Sequence, residues 1–384
     1  MTFQPLRLAA AIAAACALSA PALSQTLVFQ TDATHAVIMD HDTGEILFSK
    51  NGDEAMPPAS MSKLMTAFMA FEALENGTIE MDDGLRVSEE AWRRGGAASG
   101  SSTMFLDVNS RATVSDLLRG IIVQSGNDAC IVVAEALEGS EEAFADAMTD
   151  RARELGLETA NFANATGWPD PDHVISAADL ARLARIIIED HPDYYDIYAE
   201  ESFTYNGIRQ FNRNPLLGVF EGADGLKTGH TSVSGYGLVA SAVRDGERRI
   251  VVFNGMESQA ERADEAERLM RAAFADFDMV TLAEAGDIVG EAVIYLGERE
   301  TAPLRLTETA RLGMHRRERD DLVAEIVYDG PLSAPVAEGD PVGHLEVTLP
   351  GGRVETYPLE AAEAVERKGA VGRALSALAG LIRG

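Results

Sequence analysis

Ser60 and Lys63 stand three residues apart and form the first pair in the sequence that could do covalent chemistry. Ser60 follows two prolines and is expected to begin a helix, where free N–H groups and the helix dipole favour developing negative charge. Lys63 then lies one turn later on the same face, within reach of the serine hydroxyl. As a base it must lose its proton, which requires its pKa to fall by about three units, or about 4 kcal/mol. The pair predicts a serine nucleophile activated by a lysine.

Two further motifs follow in the chain, Ser125-Gly126-Asn127 and Lys227-Thr228-Gly229. An S-x-x-K motif alone occurs by chance about once in a chain of this size, but the three motifs in this order are far more specific. Lys227 would supply the positive charge that lowers the pKa of Lys63, and would itself stay protonated to hold a substrate carboxylate.

Lysine is rare in this sequence, with four lysines against 28 arginines among 384 residues. Arginine cannot give up its proton in a protein, so the proposed base has to be a lysine. This requirement explains why Lys63 is retained, and Lys227 stands in the third motif of the same set.

The composition excludes several other classes of protein. The 46% hydrophobic fraction fits a packed globular protein of two domains or three, and the net charge of −30 argues against a nucleic-acid-binding surface. The seven histidines show no metal-ligand spacing, so neither a metal nor another cofactor is expected. Cys130 lies in an apolar stretch and is expected to be a buried structural thiol rather than a nucleophile.

The first 24 residues are typical of a secretory signal peptide. Arg7 precedes an apolar stretch at 8–18, and small residues stand one and three positions before the expected cleavage site after Ser24. The alternative of a lipoprotein box at Cys16 is disfavoured because alanine stands three positions before it. We therefore expect an exported protein that has Cys130 as its one cysteine and no intrachain disulfide.

The sequence patterns predict that one sheet positions these residues, together with a group of helices between residues 60 and 189 that we call the helical lobe. Alternating apolar residues predict hairpins at 34–48 and 235–255, and periodic apolar residues predict six helices. The helices are expected at 60–74, 113–122, 127–138, 141–155, 176–189 and 258–274. Strands at both ends of this region, with helices between them, predict an α/β protein of the α+β kind, with the catalytic domain at 25–277.

After residue 278 the pattern changes to short strands separated by Gly, Pro and Asp turns. Strands at 287–297, 302–314, 322–328, 341–349 and 353–357 predict a small all-β domain over 278–360. The tail, 361–384, carries four bases and no acids from Arg367 onward, with Val371, Leu375, Leu378 and Ile382 on one helical face. A basic amphipathic helix is typical of a membrane-surface anchor, which we favour over packing on its own domain or in a dimer.

The three motifs and their flanks resemble the D-alanyl-D-alanine carboxypeptidases, which are low-molecular-mass penicillin-binding proteins. The resemblance covers nearly the whole mature chain, and the second domain and the tail match the penicillin-binding-protein five/six subgroup. The matching runs are 58–63, 125–130, 203–210, 212–214 and 224–231. The resemblance implies a penicillin-recognising serine hydrolase fold, with an antiparallel sheet flanked by helices.

The resemblance also implies a role for each candidate residue. Ser60 is the acylated nucleophile, Lys63 its general base, and Ser125 relays protons to the leaving D-alanine. The substrate-binding set is Asn127 for the amide, Lys227 and Thr228 near the terminal carboxylate, His230 with Ser60 for the backbone oxyanion hole, and Arg213 and Arg262 in support of carboxylate recognition.

The implied reaction removes the terminal D-alanine from peptidoglycan pentapeptide stems, and the implied partners are those stems, β-lactam antibiotics and the inner-membrane surface, with no nucleic acid. The implied location is the periplasm. Two alternatives share the acylation chemistry, a serine β-lactamase and a D,D-endopeptidase, and a third is a non-catalytic envelope protein. A class A β-lactamase would need a water-activating Glu after Ser125, whereas Glu72 and Asn76, which have a similar spacing, precede it.

Overall fold

The structure, a computed structural model, describes residues 29–350 and 352–369. The predicted signal peptide and the tail from residue 370 lie outside the described residues, so both stay predictions. Within the described ranges, no helix is long and apolar enough to cross a membrane.

A five-stranded antiparallel sheet forms the centre of the N-terminal domain, in the order β2-β1-β11-β10-β9. Both predicted hairpins are present, and they join where His35 pairs with Asn254. The strands, numbered in chain order, are β1 (His35–Asp40), β2 (Ile46–Lys50), β9 (Ala223–Thr231), β10 (Gly235–Arg244) and β11 (Glu247–Met256). β9, at one edge of the sheet, carries the third motif.

Helices cover both faces of this sheet. Alternate residues of β1 enter different cores: Val37 and Met39 pack with the helical lobe, while Ala36 and Ile38 pack against α7. This division follows from the two-residue period of a strand that is buried on both faces. The helices are α1 (Lys63–Glu75), α2 (Val114–Ile122), α3 (Asn127–Glu138), α4 (Glu141–Glu154), α5 (Ala177–Asp190), α6 (Pro192–Tyr195) and α7 (Gln259–Ala275).

Side-chain caps explain where four of the helices begin. A hydroxyl precedes each of these helices and accepts the backbone N–H three residues later, which satisfies a donor that the first turn leaves free. The capping residues are Thr113, Ser140, Ser176 and Ser258. Because these caps are local, the sequence-predicted helices lie within a few residues of the observed ones.

Three short antiparallel ribbons lie outside the central sheet and were not predicted. Each strand has at most four residues, too few to show a periodic pattern, although Asn206-Gly207 between β7 and β8 is a typical hairpin turn that could have indicated that ribbon. They pair β3 (Ala55–Met56) with β6 (Ile175–Ser176), β4 (Gly84–Arg86) with β5 (Arg111–Thr113), and β7 (Ser202–Tyr205) with β8 (Ile208–Phe211).

The C-terminal domain is all-β, as expected, with its own apolar core. A six-stranded sheet has the order β16-β18-β19-β14-β13-β17, and β12 pairs with β15. The strands are β12 (Phe277–Ala283), β13 (Ile288–Tyr295), β14 (Thr301–Leu306), β15 (Ala310–His315), β16 (Val323–Tyr328), β17 (Leu332–Ser333), β18 (Pro341–Thr348) and β19 (Val354–Ala361).

Two predictions for this domain were wrong in detail. The strand predicted at 302–314 is two strands, because the chain leaves the sheet after Leu306 and β15 pairs with β12 instead of continuing β14. The predicted helix also does not begin at residue 361. Val365 is buried and pairs with Val336, and Arg367 bridges to Gly297, so this stretch is extended.

One arginine links the two domains directly. Arg353 donates from Nη1 to the Ile46 carbonyl of β2 at 2.8 Å and from Nη2 to the Gly313 carbonyl of β15. Nearby, Phe277 packs edge-on against Phe29 with ring centroids 5.2 Å apart. The C-terminal domain is therefore attached to the β2 edge of the central sheet, whereas the third motif lies on the opposite edge.

Candidate active site

The serine of the first motif lies in a tight turn rather than in an α-helix. Residues Ala59–Ser62 form a 3-10 helix, and α1 begins only at Lys63, which corrects the prediction that Ser60 begins the α-helix. Ala59 has a φ of +50°, so the chain enters this turn in a left-handed conformation. In a 3-10 helix, residues three apart eclipse each other. The tighter turn therefore places the lysine directly beside the serine.

Lys63 is held by three acceptors. Its Nζ lies 3.1 Å from Ser60 Oγ and 2.7 Å from Asn127 Oδ1, and it also donates to the Thr166 carbonyl. The lysine is 1% exposed. Asn127 begins α3 and Thr166 lies in the loop before β6, so this one amine joins three separate parts of the lobe.

Burial changes the acidity of this lysine as the sequence required. The pKa of Lys63 falls from 10.5 to about 8, mainly because burial removes the solvation of its charged form, and the positive charge of Arg213 contributes to the decrease. At neutral pH a useful fraction of the amine is therefore unprotonated and able to accept the Ser60 proton.

The second motif approaches the lysine from α3. Ser125 is buried with a φ of +64°, and its hydroxyl makes no hydrogen bond with any described residue. Asn127 accepts from Lys63 and donates from Nδ2 to Ser101 Oγ at 3.0 Å. Because Ser125 holds a conformation that a residue with a Cβ rarely adopts, the site keeps this hydroxyl in place at some local cost.

The third motif lies on the edge strand β9 and brings a second buried amine. Lys227 is 2% exposed, and its Nζ donates to the Thr228 carbonyl at 3.2 Å. Burial lowers the pKa of Lys227 well below its ordinary value, and the charge of Lys63 lowers it further. We expected Lys227 to stay protonated, but the structure gives it no carboxylate partner among the described residues to offset the burial.

Arginines and an aromatic pair surround the outer end of β9. Arg262, near the start of α7, is 6% exposed and lies 5.7 Å from the Tyr236 ring centroid. Tyr236 in turn stacks on His230 with centroids 3.8 Å apart. Arg213 is exposed and donates to Ser102 Oγ at 2.8 Å, while its carbonyl accepts from Arg262 at 3.4 Å. The nine predicted site residues therefore lie in the turn before α1 and its first residue, at the start of α3 and just before it, on β9, near the start of α7, and in the segment before β9.

Asp128 is a structural residue of the site that sequence analysis did not single out. It is fully buried, and its carboxylate accepts from Thr103 Oγ1 at 2.6 Å and from the N–H groups of Met104 and Leu106. These bonds fix the segment that supplies Ser101 to the site. Its position directly after the second motif is the sequence feature that could have identified it.

The loop that supplies the Thr166 carbonyl was also missed. Asn164 Oδ1 accepts from four donors on residues Thr166, Gly167 and Trp168. Gly167 has a φ of +80°, and a Cβ there would lie 2.1 Å from the Ala59 carbonyl oxygen. An asparagine followed three residues later by glycine is a turn pattern, and it could have indicated this loop without indicating its contact with Lys63.

Two other sequence predictions concern Cys130 and Glu72. Cys130 is buried, its thiol donates to the Gly126 carbonyl at 3.2 Å, and burial raises its pKa to about 12, which confirms a structural thiol. Glu72, the β-lactamase-like candidate, is paired with Arg151 at 2.7 Å. No cluster of potential ligands in the described part of the chain could hold a metal ion.

A serine beside a buried lysine, with a second lysine on the edge strand of an antiparallel sheet, defines a penicillin-recognising active-site serine hydrolase. A family model described as D-alanyl-D-alanine carboxypeptidase matches residues 20–257, and one described as the C-terminal domain of penicillin-binding protein 5 matches residues 277–367. The chain belongs to the D-alanyl-D-alanine carboxypeptidase family of serine peptidases.

Individual relatives agree with this assignment. The chain is 36% identical over 345 residues to the D-alanyl-D-alanine carboxypeptidase DacC of Escherichia coli, covering 89% of this chain and 86% of the relative. It is 38% identical over 333 residues to DacD of the same organism, covering 86% of each.

Solved structures show the same fold. Penicillin binding protein 5 from Haemophilus influenzae is 35% identical with a TM-score of 0.67, covering 89% of this chain and all of that one. The carboxypeptidase DacD from Francisella tularensis is 29% identical with a TM-score of 0.76, covering 92% and 98%. Penicillin-Binding Protein D2 from Listeria monocytogenes, solved in an ampicillin-bound form, is 29% identical with a TM-score of 0.56 and covers 65% of this chain.

Proposed function

We propose that this carboxypeptidase releases the terminal D-alanine of peptidoglycan stem peptides through an acyl-enzyme on Ser60. The observation that carries the proposal is the 3.1 Å contact between Ser60 Oγ and the Nζ of a lysine whose burial lowers its pKa to about 8. Lys63 takes the serine proton as the hydroxyl oxygen attacks the carbonyl of the scissile D-Ala-D-Ala bond. The backbone N–H groups of Ser60 and His230 stabilise the resulting oxyanion.

Collapse of that intermediate breaks the peptide bond and releases D-alanine. Ser125, whose hydroxyl is buried and free of other hydrogen bonds among the described residues, passes the proton from Lys63 to the leaving nitrogen. Asn127 holds the substrate amide through its Nδ2 group, because its Oδ1 is engaged by Lys63. Water then hydrolyses the ester, and Ser60 recovers its proton.

The terminal carboxylate of the substrate is recognised by the cationic end of the site, where Lys227 and Thr228 adjoin Arg213 and Arg262. Burial lowers the pKa of Lys227 in the free protein, and a bound carboxylate raises it again by pairing with the ammonium form. A charged Lys227 in turn disfavours protonation of Lys63. Substrate binding therefore prepares the base for the reaction.

β-Lactams are the second class of ligand that the site accepts, since they present a carbonyl and a carboxylate to the same groups. The ampicillin-bound relative from Listeria supports this assignment. The pairing of Glu72 with Arg151 argues against the water-activating glutamate that a class A β-lactamase would use. Bound penicillin should therefore be released slowly.

We further propose that the protein is exported to the periplasm and held at the inner membrane by its basic C-terminal tail. The sequence supports this assignment through the predicted signal peptide and through the charge reversal after residue 366. The test is binding of the mature chain, which begins at residue 25, to anionic vesicles, with the same chain ending at residue 369 as the comparison, because residues 361–368 still pair with the C-terminal domain. Equal binding of both chains would refute the anchor.

The decisive experiment for the reaction is incubation of the full chain with a pentapeptide ending in D-Ala-D-Ala. We expect stoichiometric release of D-alanine, and labelling of the protein by a fluorescent penicillin that is lost in Ser60→Ala. Rapid turnover of penicillin without D-alanine release would assign a β-lactamase instead, and labelling that persists in Ser60→Ala would remove Ser60 from the mechanism.

A further inference from the structure

Glu141 contacts the loop formed by residues 164–168, whose Thr166 carbonyl accepts a hydrogen bond from Lys63. It is the first residue of α4, its side chain is 10% exposed, and its Oε1 accepts from the Ala165 N–H at 3.2 Å. Ala165 immediately precedes Thr166, whose carbonyl accepts from Lys63. The contact is therefore two peptide units away from the Thr166 carbonyl that accepts from Lys63.

An arginine fixes this glutamate from the other side. Arg94 Nη1 donates to Glu141 Oε2 at 2.8 Å, and the same guanidinium lies 5.2 Å from the ring centroid of Trp168. The ion pair thus touches the loop at two places, at Ala165 through the glutamate and at Trp168 through the arginine. A carboxylate that accepts from both a guanidinium and a backbone N–H has little freedom to move.

The other hydrogen bonds that hold Asn164 and Ala165 involve neutral groups. The Ala165 carbonyl accepts from Thr66 Oγ1 at 2.7 Å, and Asn164 bonds within the loop itself. Among these anchors of the loop, Glu141 is the charged one, and it is therefore the one whose substitution changes both geometry and field.

We infer that Glu141 is a positioning residue for Lys63: through the Ala165 N–H it fixes the Thr166 carbonyl against Nζ, and its carboxylate sets the electrostatic field at the amine. The inference rests on the proposed role of Lys63 as the general base. Glu141 itself touches neither the serine nor the substrate groups described above.

The field of Glu141 opposes the effect of burial. Burial lowers the pKa of Lys63, whereas the negative charge of Glu141 raises it. The remaining charged or titratable groups that face Lys63 stay in place when Glu141 is replaced. They are Lys227, Arg213, Asp128, Cys130 and His173.

Three variants of the full chain separate geometry from charge. Glu141→Gln keeps an acceptor for the Ala165 N–H but loses the charge, and Glu141→Ala loses both. Glu142→Gln removes the same charge from the next residue of α4, which is exposed, and serves as the matched control. The measurement is the second-order rate constant for labelling by fluorescent penicillin between pH 5.5 and 10, with melting temperatures recorded alongside.

We expect Glu141→Gln to move the acid limb of the profile to lower pH by roughly 0.3 to 1 unit, with a plateau near that of the wild type. Glu141→Ala should show the same shift and a plateau lowered about tenfold, because the carbonyl is no longer held. Glu142→Gln should leave both limb and plateau unchanged.

The inference is overturned if the acid limb of the pH profile of Glu141→Gln coincides with that of the wild type. It is also overturned if Glu142→Gln shifts the acid limb by the same amount as Glu141→Gln. A merely structural role would lower the melting temperature and plateau without moving the limb, and would also overturn it. If Glu141→Ala does not fold, the near-isosteric Glu141→Gln still decides the question. Failure of the proposed function has a different signature, namely no labelling of Ser60 in the wild-type chain.

Discussion

Replacement of Lys63 by arginine tests the proposed base most directly. The lysine is fully buried, and burial lowers its pKa from 10.5 to about 8. At pH 7 this shift raises the unprotonated fraction from about 0.03% to about 10%, a gain of about 300-fold in available base. Arginine keeps the positive charge and donors but cannot accept the Ser60 proton. We therefore expect Lys63→Arg to lower the acylation rate at pH 7 by at least about 10³-fold.

The assay is the rate of labelling by fluorescent penicillin, followed across pH for the wild type and at pH 7 for the variants. Because the lysine must be neutral to act, the wild-type rate should rise about tenfold per pH unit up to about pH 8 and then level off. Lys50→Arg is the matched control, since Lys50 donates to the Thr31 carbonyl at 2.8 Å and takes no part in the site. It should retain wild-type labelling.

Two results would refute the reasoning. A wild-type profile that is flat between pH 6 and 9 would mean that no group titrating near 8 controls acylation. Labelling of Lys63→Arg at more than a tenth of the wild-type rate would mean that the amine does not accept the proton. Because arginine is larger than lysine, the melting temperature of this variant and the labelling of Lys63→Gln check that a loss does not come from misfolding.

Three further predictions follow from other contacts. Gly167→Ala should abolish acylation, because the added Cβ would lie 2.1 Å from the Ala59 carbonyl oxygen, next to Ser60. Gly139→Ala is the control, since Gly139 has a similar φ of +81° with open space around it; it should lower the free energy of unfolding by about 1 kcal/mol and retain labelling. Equal labelling of the two variants would contradict this prediction. Arg353→Ala should leave cleavage of a soluble pentapeptide unchanged but expose the junction of the two domains to limited proteolysis, since it removes the Arg353–Ile46 hydrogen bond between them; unchanged protease resistance would count against the link. Cys130 should resist alkylation in the folded protein at pH 8, because burial raises its pKa to about 12, and rapid modification measured by mass spectrometry would show that it is accessible.

Much of the fold could be predicted because its determinants are local. The capped helices and the two hairpins of the central sheet depend on residues within one or two turns of each other, and they lie close to where the patterns indicate. The ribbons β3–β6 and β4–β5 could not be predicted, because each pairs a few residues with a distant partner. The division of 302–314 into β14 and β15 has the same origin, since it depends on β12 competing as a pairing partner.

In the candidate site, the sequence by itself determined which residues are the proposed nucleophile and base, and which two motifs accompany them. The spacing of Ser60 and Lys63 is decisive because three residues make one turn, whichever helix type the turn adopts. What only the tertiary structure decided is the environment of that pair: the burial that lowers the pKa of Lys63, the Thr166 carbonyl that holds it, and the Glu141 contact behind that carbonyl. Desolvation and fields depend on every group within several ångströms, and some of these groups, such as Arg213 and Lys227, lie far from Lys63 in the chain.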